Sequence, residues 1–222
     1  MEIEDSEFGL TITMTEGDSG NLLSLADVRE LHRLLDEAEA ASKRWVVFRH
    51  RGRDFCTGRA TGPSETNPGP TLLDLVERLR SLEGVTTVGV TDGGCAGFGV
   101  GLFALTDISI ATDRAWFRFP EITHGIAPAI VATWLFDLVP FKQGLYWIST
   151  GEVFGAEAAH QFGLVTRLVE SSTLDGTVAA ETDRLDGLSA KALRDAKSVA
   201  KAMVSTSRDL AVRRNVALKW FG

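Results

Sequence analysis

The sequence predicts an α/β fold with parallel strands, on three observations. Strand-like apolar runs recur at 8–14 ("FGLTITM"), 44–50 ("RWVVFRH"), 86–92 ("TTVGVTD") and 107–112 ("DISIAT"). Segments with apolar residues three and four apart lie between them, the mark of amphipathic helices. Strands separated by helices run in the same direction, so the sheet they form is parallel. The chain has 222 residues, 44% of them hydrophobic, enough for one well-filled core. No repeat, low-complexity tract or linker interrupts it.

Each element has its own signal. After strand 8–14, "GDSGN" breaks the chain. In "SLADVRELHRLLDEAEAAS" (24–42), Ser24 can cap a helix with Asp27 three residues on, while Val28, Leu31 and Leu35 share one face. Strand 44–50 is of the fully buried type. The stretch 52–70 is rich in Gly, Pro, Ser and Thr and reads as loop, with 58–70 the one long flexible candidate. "TLLDLVERLRSL" (71–82) turns Leu72, Leu73, Val76 and Leu79 inward. A strand over 86–92, a helix over 98–106 and a strand over 107–112 follow. Helices are expected near 130–139, 141–150 and 155–162, then a short strand in "LVTRLV" (164–169). From about residue 172 the chain reads as helical.

Composition excludes several functions. A net charge of −7 argues against a nucleic-acid binder, which needs a basic face. It leaves an anionic small ligand open, because local backbone dipoles outweigh net charge at short range. The two cysteines, Cys56 and Cys95, form no C-x-x-C pair and so predict neither a metal site nor a disulfide framework. Both stand in glycine-containing stretches, where small size explains them. "MEIEDSEFGL" has no apolar core of a secretory signal. The most apolar stretch, "GIAPAIVATWLFDLVPF", is broken by Asp137 and two prolines and is too short to span a membrane. A cytoplasmic location is the expectation.

The stretch with most to explain is "DGGCAGFGVGLFALTD" (92–107), with five glycines in its first ten residues. A dinucleotide fingerprint does not fit. After Gly97-Phe98-Gly99 the next glycine, Gly101, comes one residue early, and no acidic residue stands at the ribose distance on a following strand. Close packing of helix on sheet is one remaining reading. The other is a strand, a glycine turn and a helix start that aim free N–H groups at a ligand oxygen. Holding a developing oxyanion calls for a second donor. The loop after strand 44–50 offers one in "FCTGRA", where Thr57-Gly58-Arg59 can expose a backbone N–H. Two such turns at the carboxyl ends of parallel strands converge on one crevice.

These segments resemble the crotonase (enoyl-CoA hydratase/isomerase) superfamily. "DFCTGRA" is similar to its F-x-A-G-x-D turn. "DGGCAGFGVGLFALTDISIATDRAWFRFPEITHGIAP" is similar to its glycine run and the F-x-x-P-E-x-x-x-G-I-x-P segment beyond. "TGEVFGAEAAHQFGLVTRLVE" is similar to its T-G-x-x-x-x-A-x-E-A-x-x-x-G-L-V-x-x-V segment. The likeness runs from about residue 3 to 205. It implies a crotonase-like ββα core, a spiral over residues 1–170, and a helical C-terminal region over 171–222 that serves assembly or acts as a lid. The stop at "ALKWFG" implies that the family's later helices are shortened here.

The resemblance also implies roles. The residue after the first motif's glycine, Arg59, and the middle position of the glycine run, Phe98, give the two oxyanion-hole N–H groups through the backbone. Cys56, Thr57, Gly58, Gly97, Gly99 and Gly101 form the substrate-binding turns around them. Phe98 departs from the usual glycine and narrows the acyl pocket. Ala60 departs from the usual aspartate and puts the bracing of its loop in question. Hydratases of the family use two glutamates. The position of the first is Gly101, while the second is present as Glu121 in Pro120-Glu121. A lone carboxylate suits proton transfer beside an enolate better than water activation. Trp116, Phe117 and Phe119 are expected to bury Glu121 and raise its pKa.

His124, three residues past Glu121, is a further acid/base or orienting candidate beside the simpler reading of a packed, hydrogen-bonded histidine. The Arg59 guanidinium could pair with a ligand carboxylate or phosphate. His32, His50 and His160 take no role, and Trp134 and Trp147 read as core or subunit contacts.

The expected substrate is an acyl thioester of coenzyme A or of a carrier protein, with no cofactor or metal beyond the thioester's own tether. Enoyl isomerisation leads, followed by (de)hydration, then by decarboxylation, for which the presence of Glu121 is unfavourable. A non-catalytic accessory homologue is the rival class. The resemblance implies a homotrimer or hexamer, with neither nucleic acid nor membrane as partner.

Overall fold

The structure, a computed structural model, describes residues 1–15, 20–60, 67–205 and Leu218. Among these described residues the larger sheet has six strands. They are β1 (Glu2–Asp5), β2 (Gly9–Met14), β3 (Trp45–His50), β4 (Thr86–Thr91), β6 (Ile108–Thr112) and β9 (Arg167–Val169), in the order β1-β2-β3-β4-β6-β9. Every pairing from β2 to β9 is parallel, as the alternation of strands and helices predicts. Only β1, which the sequence did not announce, runs antiparallel. A second sheet of β5 (Gly94–Ala96), β7 (Trp116–Arg118) and β8 (Phe154–Gly155) has the order β5-β7-β8. Its strands are two or three residues long, too short to show a period of two.

The helices are α1 (Leu25–Ala40), α2 (Gly69–Ser81), α3 (Phe98–Ala104), α4 (Ala129–Ala132), α5 (Leu135–Leu138), α6 (Phe141–Thr150), α7 (Ala156–Gln161), α8 (Leu174–Asp186) and α9 (Ala190–Ser205). The cap predicted for α1 is present as a full capping box. Ser24 Oγ accepts from the Asp27 N–H at 3.1 Å, and the Ser24 N–H donates to Asp27 Oδ2 at 2.9 Å. The single helix expected over 130–139 is instead two short helices, α4 and α5. They are divided at Trp134, whose φ of −130° leaves the helical range.

Both faces of the large sheet are covered, which is why its strands are nearly continuously apolar. Alternate residues of β3 go to opposite sides. Val46 and Phe48 join the main core with α1, α2 and α3. Trp45 and Val47 join a second cluster with Val88, Val90 and Ile110 under Val178 and Leu185 of α8. The Trp45 indole N–H also donates to Asp186 Oδ1 at 2.8 Å, fixing the end of α8. The helical C-terminal region is therefore present through residue 205. The flexible candidate at 58–70 falls partly, and the tail beyond 205 almost wholly, outside the described residues.

Candidate active site

A cavity of about 520 Å³ opens where the two glycine turns meet, a size that accommodates a small-molecule ligand. Thr57, Gly58, Arg59, Gly97, Phe98, Glu121 and His124 all line it, so the structure brings together seven of the ten candidates drawn from the sequence. Cys56, Gly99 and Gly101 stand behind them, outside the lining.

Two of those positions, Cys56 and Gly99, hold the turns together. The main-chain N–H groups of Phe55 and Cys56 donate to the Gly94 carbonyl at 2.9 and 3.2 Å, and the Ala96 N–H donates to the Cys56 carbonyl at 2.9 Å. This stitch ties the loop after β3 to β5, immediately before α3. Gly99 then passes so close that a β-carbon on it would stand 2.0 Å from the Cys56 carbonyl oxygen. Asp54, 1% exposed, braces the same corner from below. Its Oδ1 accepts from the Gly94 N–H at 3.0 Å and its carbonyl accepts from Asn21 Nδ2 at 2.6 Å.

The loop that lacks the family's aspartate at Ala60 is braced by other means. The Leu23 N–H donates to the Gly58 carbonyl at 3.1 Å, and the Ala60 N–H donates to the Leu23 carbonyl at 2.9 Å. In this one-residue parallel bridge the groups flanking Arg59 face Leu23. Arg59's own N–H therefore points to the opposite side. Thr57 anchors the turn through its N–H and Oγ1, both to the Gly20 carbonyl, at 2.9 and 3.0 Å. Gly58 has φ of +136°, a conformation that a side chain would strain. The Arg59 guanidinium donates to the Ala60 carbonyl at 2.9 Å.

Across the cavity, Phe98 is the first residue of α3, so its N–H has no acceptor within the helix. Gly97 before it has φ of +52° and ψ of −120°, and its N–H is secured by the Arg118 carbonyl at 2.9 Å. A β-carbon on Gly97 would lie 2.9 Å from Glu121 Oε1. Glu121 sits in the 3-10 turn Pro120–His124 that follows β7, and its Oε2 is buried with no hydrogen-bond partner. Burial pushes its carboxyl above the ordinary value, while its own backbone N–H and His124 pull less strongly downward. Among the described lining residues it is the only carboxylate. His124 is exposed, with Nδ1 3.1 Å from the Pro120 carbonyl.

The apolar wall differs from the one expected. Phe117 and Phe119 are fully buried behind the site, and Trp116 packs on Gly94. The surface that desolvates the cavity comes from Leu72, Ile126, Ile130, Val131 and Trp134. Sequence reasoning missed these residues because α2 and the α4–α5 corner reach the site only through long-range packing. Trp134, read as a core or subunit contact, is both core and cavity wall. The expected small-size reading of the cysteines agrees with their complete burial.

Known proteins resemble this chain in sequence and fold. The sequence profile of the enoyl-CoA hydratase/isomerase family matches residues 8–220. A hydroxycinnamoyl-CoA hydratase-lyase of Pseudomonas fluorescens is 36% identical over 89 residues, 40% of this chain and 32% of that protein. A mevalonyl-coenzyme A hydratase of Aspergillus fumigatus is 29% identical over 179 residues, 76% of this chain and 65% of that protein. The chain thus spans between about a third and two thirds of these curated relatives. The crystal structure of an enoyl-CoA hydratase from Mycobacterium avium superimposes with a TM-score of 0.82 at 26% identity, over 96% of this chain and 85% of that one. With the profile covering nearly its whole length and the fold in agreement, the chain belongs to the enoyl-CoA hydratase/isomerase family of the crotonase superfamily.

Proposed function

We propose that the cavity binds the acyl thioester of coenzyme A, or of a carrier protein's phosphopantetheine, and shifts a carbon–carbon double bond. The thioester carbonyl oxygen accepts from the main-chain N–H groups of Arg59 and Phe98. Glu121, as carboxylate, removes a proton from carbon 2 of a 3-enoyl thioester. The electron pair of that bond moves into the carbonyl, giving a dienolate held by the two amides. Glu121 then returns the proton to carbon 4, which leaves the double bond between carbons 2 and 3 and restores the carboxylate. Losing one such donor costs about 3 kcal/mol of transition-state stabilisation in other enzymes.

The observation that carries this reading is Glu121, the one carboxylate among the described lining residues, set against Gly97 at the mouth of the turn that presents Phe98. A proton moved between two carbons needs one base that becomes one acid. Adding water to a double bond calls for activation of water and protonation of carbon together, which two carboxylates do better. The reading uses no resident cofactor or metal. It includes assembly into a homotrimer or hexamer, supported by exposed apolar side chains at Phe141, Leu145, Tyr146 and Val153.

The test is a panel of enoyl thioesters incubated in deuterated water and read by mass spectrometry. Isomerisation predicts a product of the same composition with its double bond moved, separated by chromatography, and deuterium on carbon wherever the Glu121 proton exchanges with solvent before it is returned. Gain of water would make the protein a hydratase and loss of carbon dioxide a decarboxylase. No conversion of any thioester, with or without deuterium, would favour an accessory role.

A further inference from the structure

One polar group in the cavity has no part in this chemistry. Trp134 is 1% exposed, packs its ring against Phe119 with centroids 6.2 Å apart, and lines the cavity. Its indole Nε1 is 3.2 Å from where a β-carbon on Gly101 would stand, and the adjoining ring carbons are 3.3 Å from that point. The absence of a side chain at 101 is what lets the N–H edge lie against α3. Among the described residues it donates to no side-chain or main-chain oxygen, yet it is not one of the fully buried unpartnered polar atoms, as Glu121 Oε2 is. The surfaces beside it, from Leu72, Phe98, Ile130 and Val131, are apolar. An indole N–H on a cavity wall takes water or a ligand oxygen as its acceptor, and needs the ligand oxygen once water is displaced.

We propose that the Trp134 N–H is a specificity-determining donor, and that the acyl group this cavity accepts carries an oxygen acceptor at about its third or fourth carbon. This rests on the thioester reading of the cavity. Gly101 lies three residues beyond Phe98 on α3, a rise of roughly 4.5 Å along the helix axis. An acyl chain that runs from a carbonyl oxygen on the Phe98 amide toward Gly101 brings its third or fourth carbon to the level of Nε1. A keto, hydroxy or carboxylate oxygen there satisfies the donor. A plain hydrocarbon chain of equal length fills the same space but leaves the N–H unpaired, and a site built to hydrogen-bond its ligand discriminates strongly against an analogue that lacks the group.

The experiment measures dissociation constants of 4-oxopentanoyl-CoA and pentanoyl-CoA by calorimetry on the full chain. The oxygenated thioester is expected to bind about tenfold tighter, the effect of one net hydrogen bond. In Trp134→Phe that preference disappears through weaker binding of the oxygenated ligand alone. Gly101→Ala keeps the indole but sets a methyl group against Nε1, and is expected to cut the preference severalfold, read as the ratio of the two dissociation constants on that variant. This arm decides the matter should Trp134→Phe lose its fold by circular dichroism. Equal binding of the two ligands by the native chain, or a preference that survives both substitutions, overturns the inference and leaves the thioester site standing. Failure of the native chain to bind either ligand overturns the thioester reading and this inference with it.

Discussion

Glu121 Oε1 lies 2.9 Å from the point where a β-carbon on Gly97 would begin, so the carboxylate rests directly on the bare backbone of the turn that starts α3. The conformation of that turn, φ +52° and ψ −120°, suits glycine alone. Gly97→Ala therefore strains the backbone by roughly 1–3 kcal/mol and displaces the Glu121 side chain at once. Urea unfolding is expected to report the first effect and turnover a loss of at least about a hundredfold for the second. Unchanged turnover would mean that Glu121 has no need of this contact.

Glu121 is also expected to set a pH dependence. Burial raises its pKa in the folded protein above the value of 4.5 for a free carboxyl. The unfolded chain releases this proton more readily. The group's stabilising contribution is thus complete in acid, below the unfolded pKa, and is lost as pH rises through the folded pKa. Glu121→Gln should then raise the melting temperature at neutral pH and converge with the native protein in acid. For the native protein, the acidic limb of kcat/KM should fall above the ordinary carboxylate range, because the proposed reaction begins with the ionised base.

The thiols should be inert. Burial pushes Cys56 up to about 12 and Cys95 well above its ordinary value, so neither is a thiolate near neutrality. Incubation with a thiol reagent at pH 8 is expected to label neither in the native protein and both in urea. Fast labelling of either under native conditions would contradict the packing described for the joint between the turns.

The glycines behind the cavity should rank by what they face. A methyl group on Gly99 meets the main-chain carbonyl of Cys56 at 2.0 Å, which cannot move without breaking the bond from the Ala96 N–H. On Gly101 it meets only a ring edge at 3.2 Å. Gly99→Ala is expected to destabilise by about 3 kcal/mol or more and Gly101→Ala by about 1 kcal/mol or less, measured by denaturant titration.

Much of this was legible in the chain. The 3.6-residue period and the Ser24–Asp27 box placed α1, and the β-type runs at 44–50 and 86–92 gave the centre of the parallel sheet. The glycine turns and Pro120-Glu121 pointed to residues that line one cavity. Strands β5, β7 and β8 were not legible because two or three residues carry no period and their pairing is set by distant partners. The break at Trp134 was hidden for the same reason. Its apolar surroundings read as continuous helix, and only packing against Gly101 and Phe119 shows why the ring turns into the cavity. The replacement brace at Leu23 was likewise invisible, being a main-chain pairing that any residue can make.

The central claim is that Glu121 alone carries the proton, and turnover of a 3-enoyl thioester by Glu121→Gln tests it most directly. The amide keeps the shape and cannot accept the proton, so kcat should fall by on the order of a hundred- to ten-thousandfold with KM little changed. Turnover by Glu121→Gln within a few-fold of the native rate would contradict it.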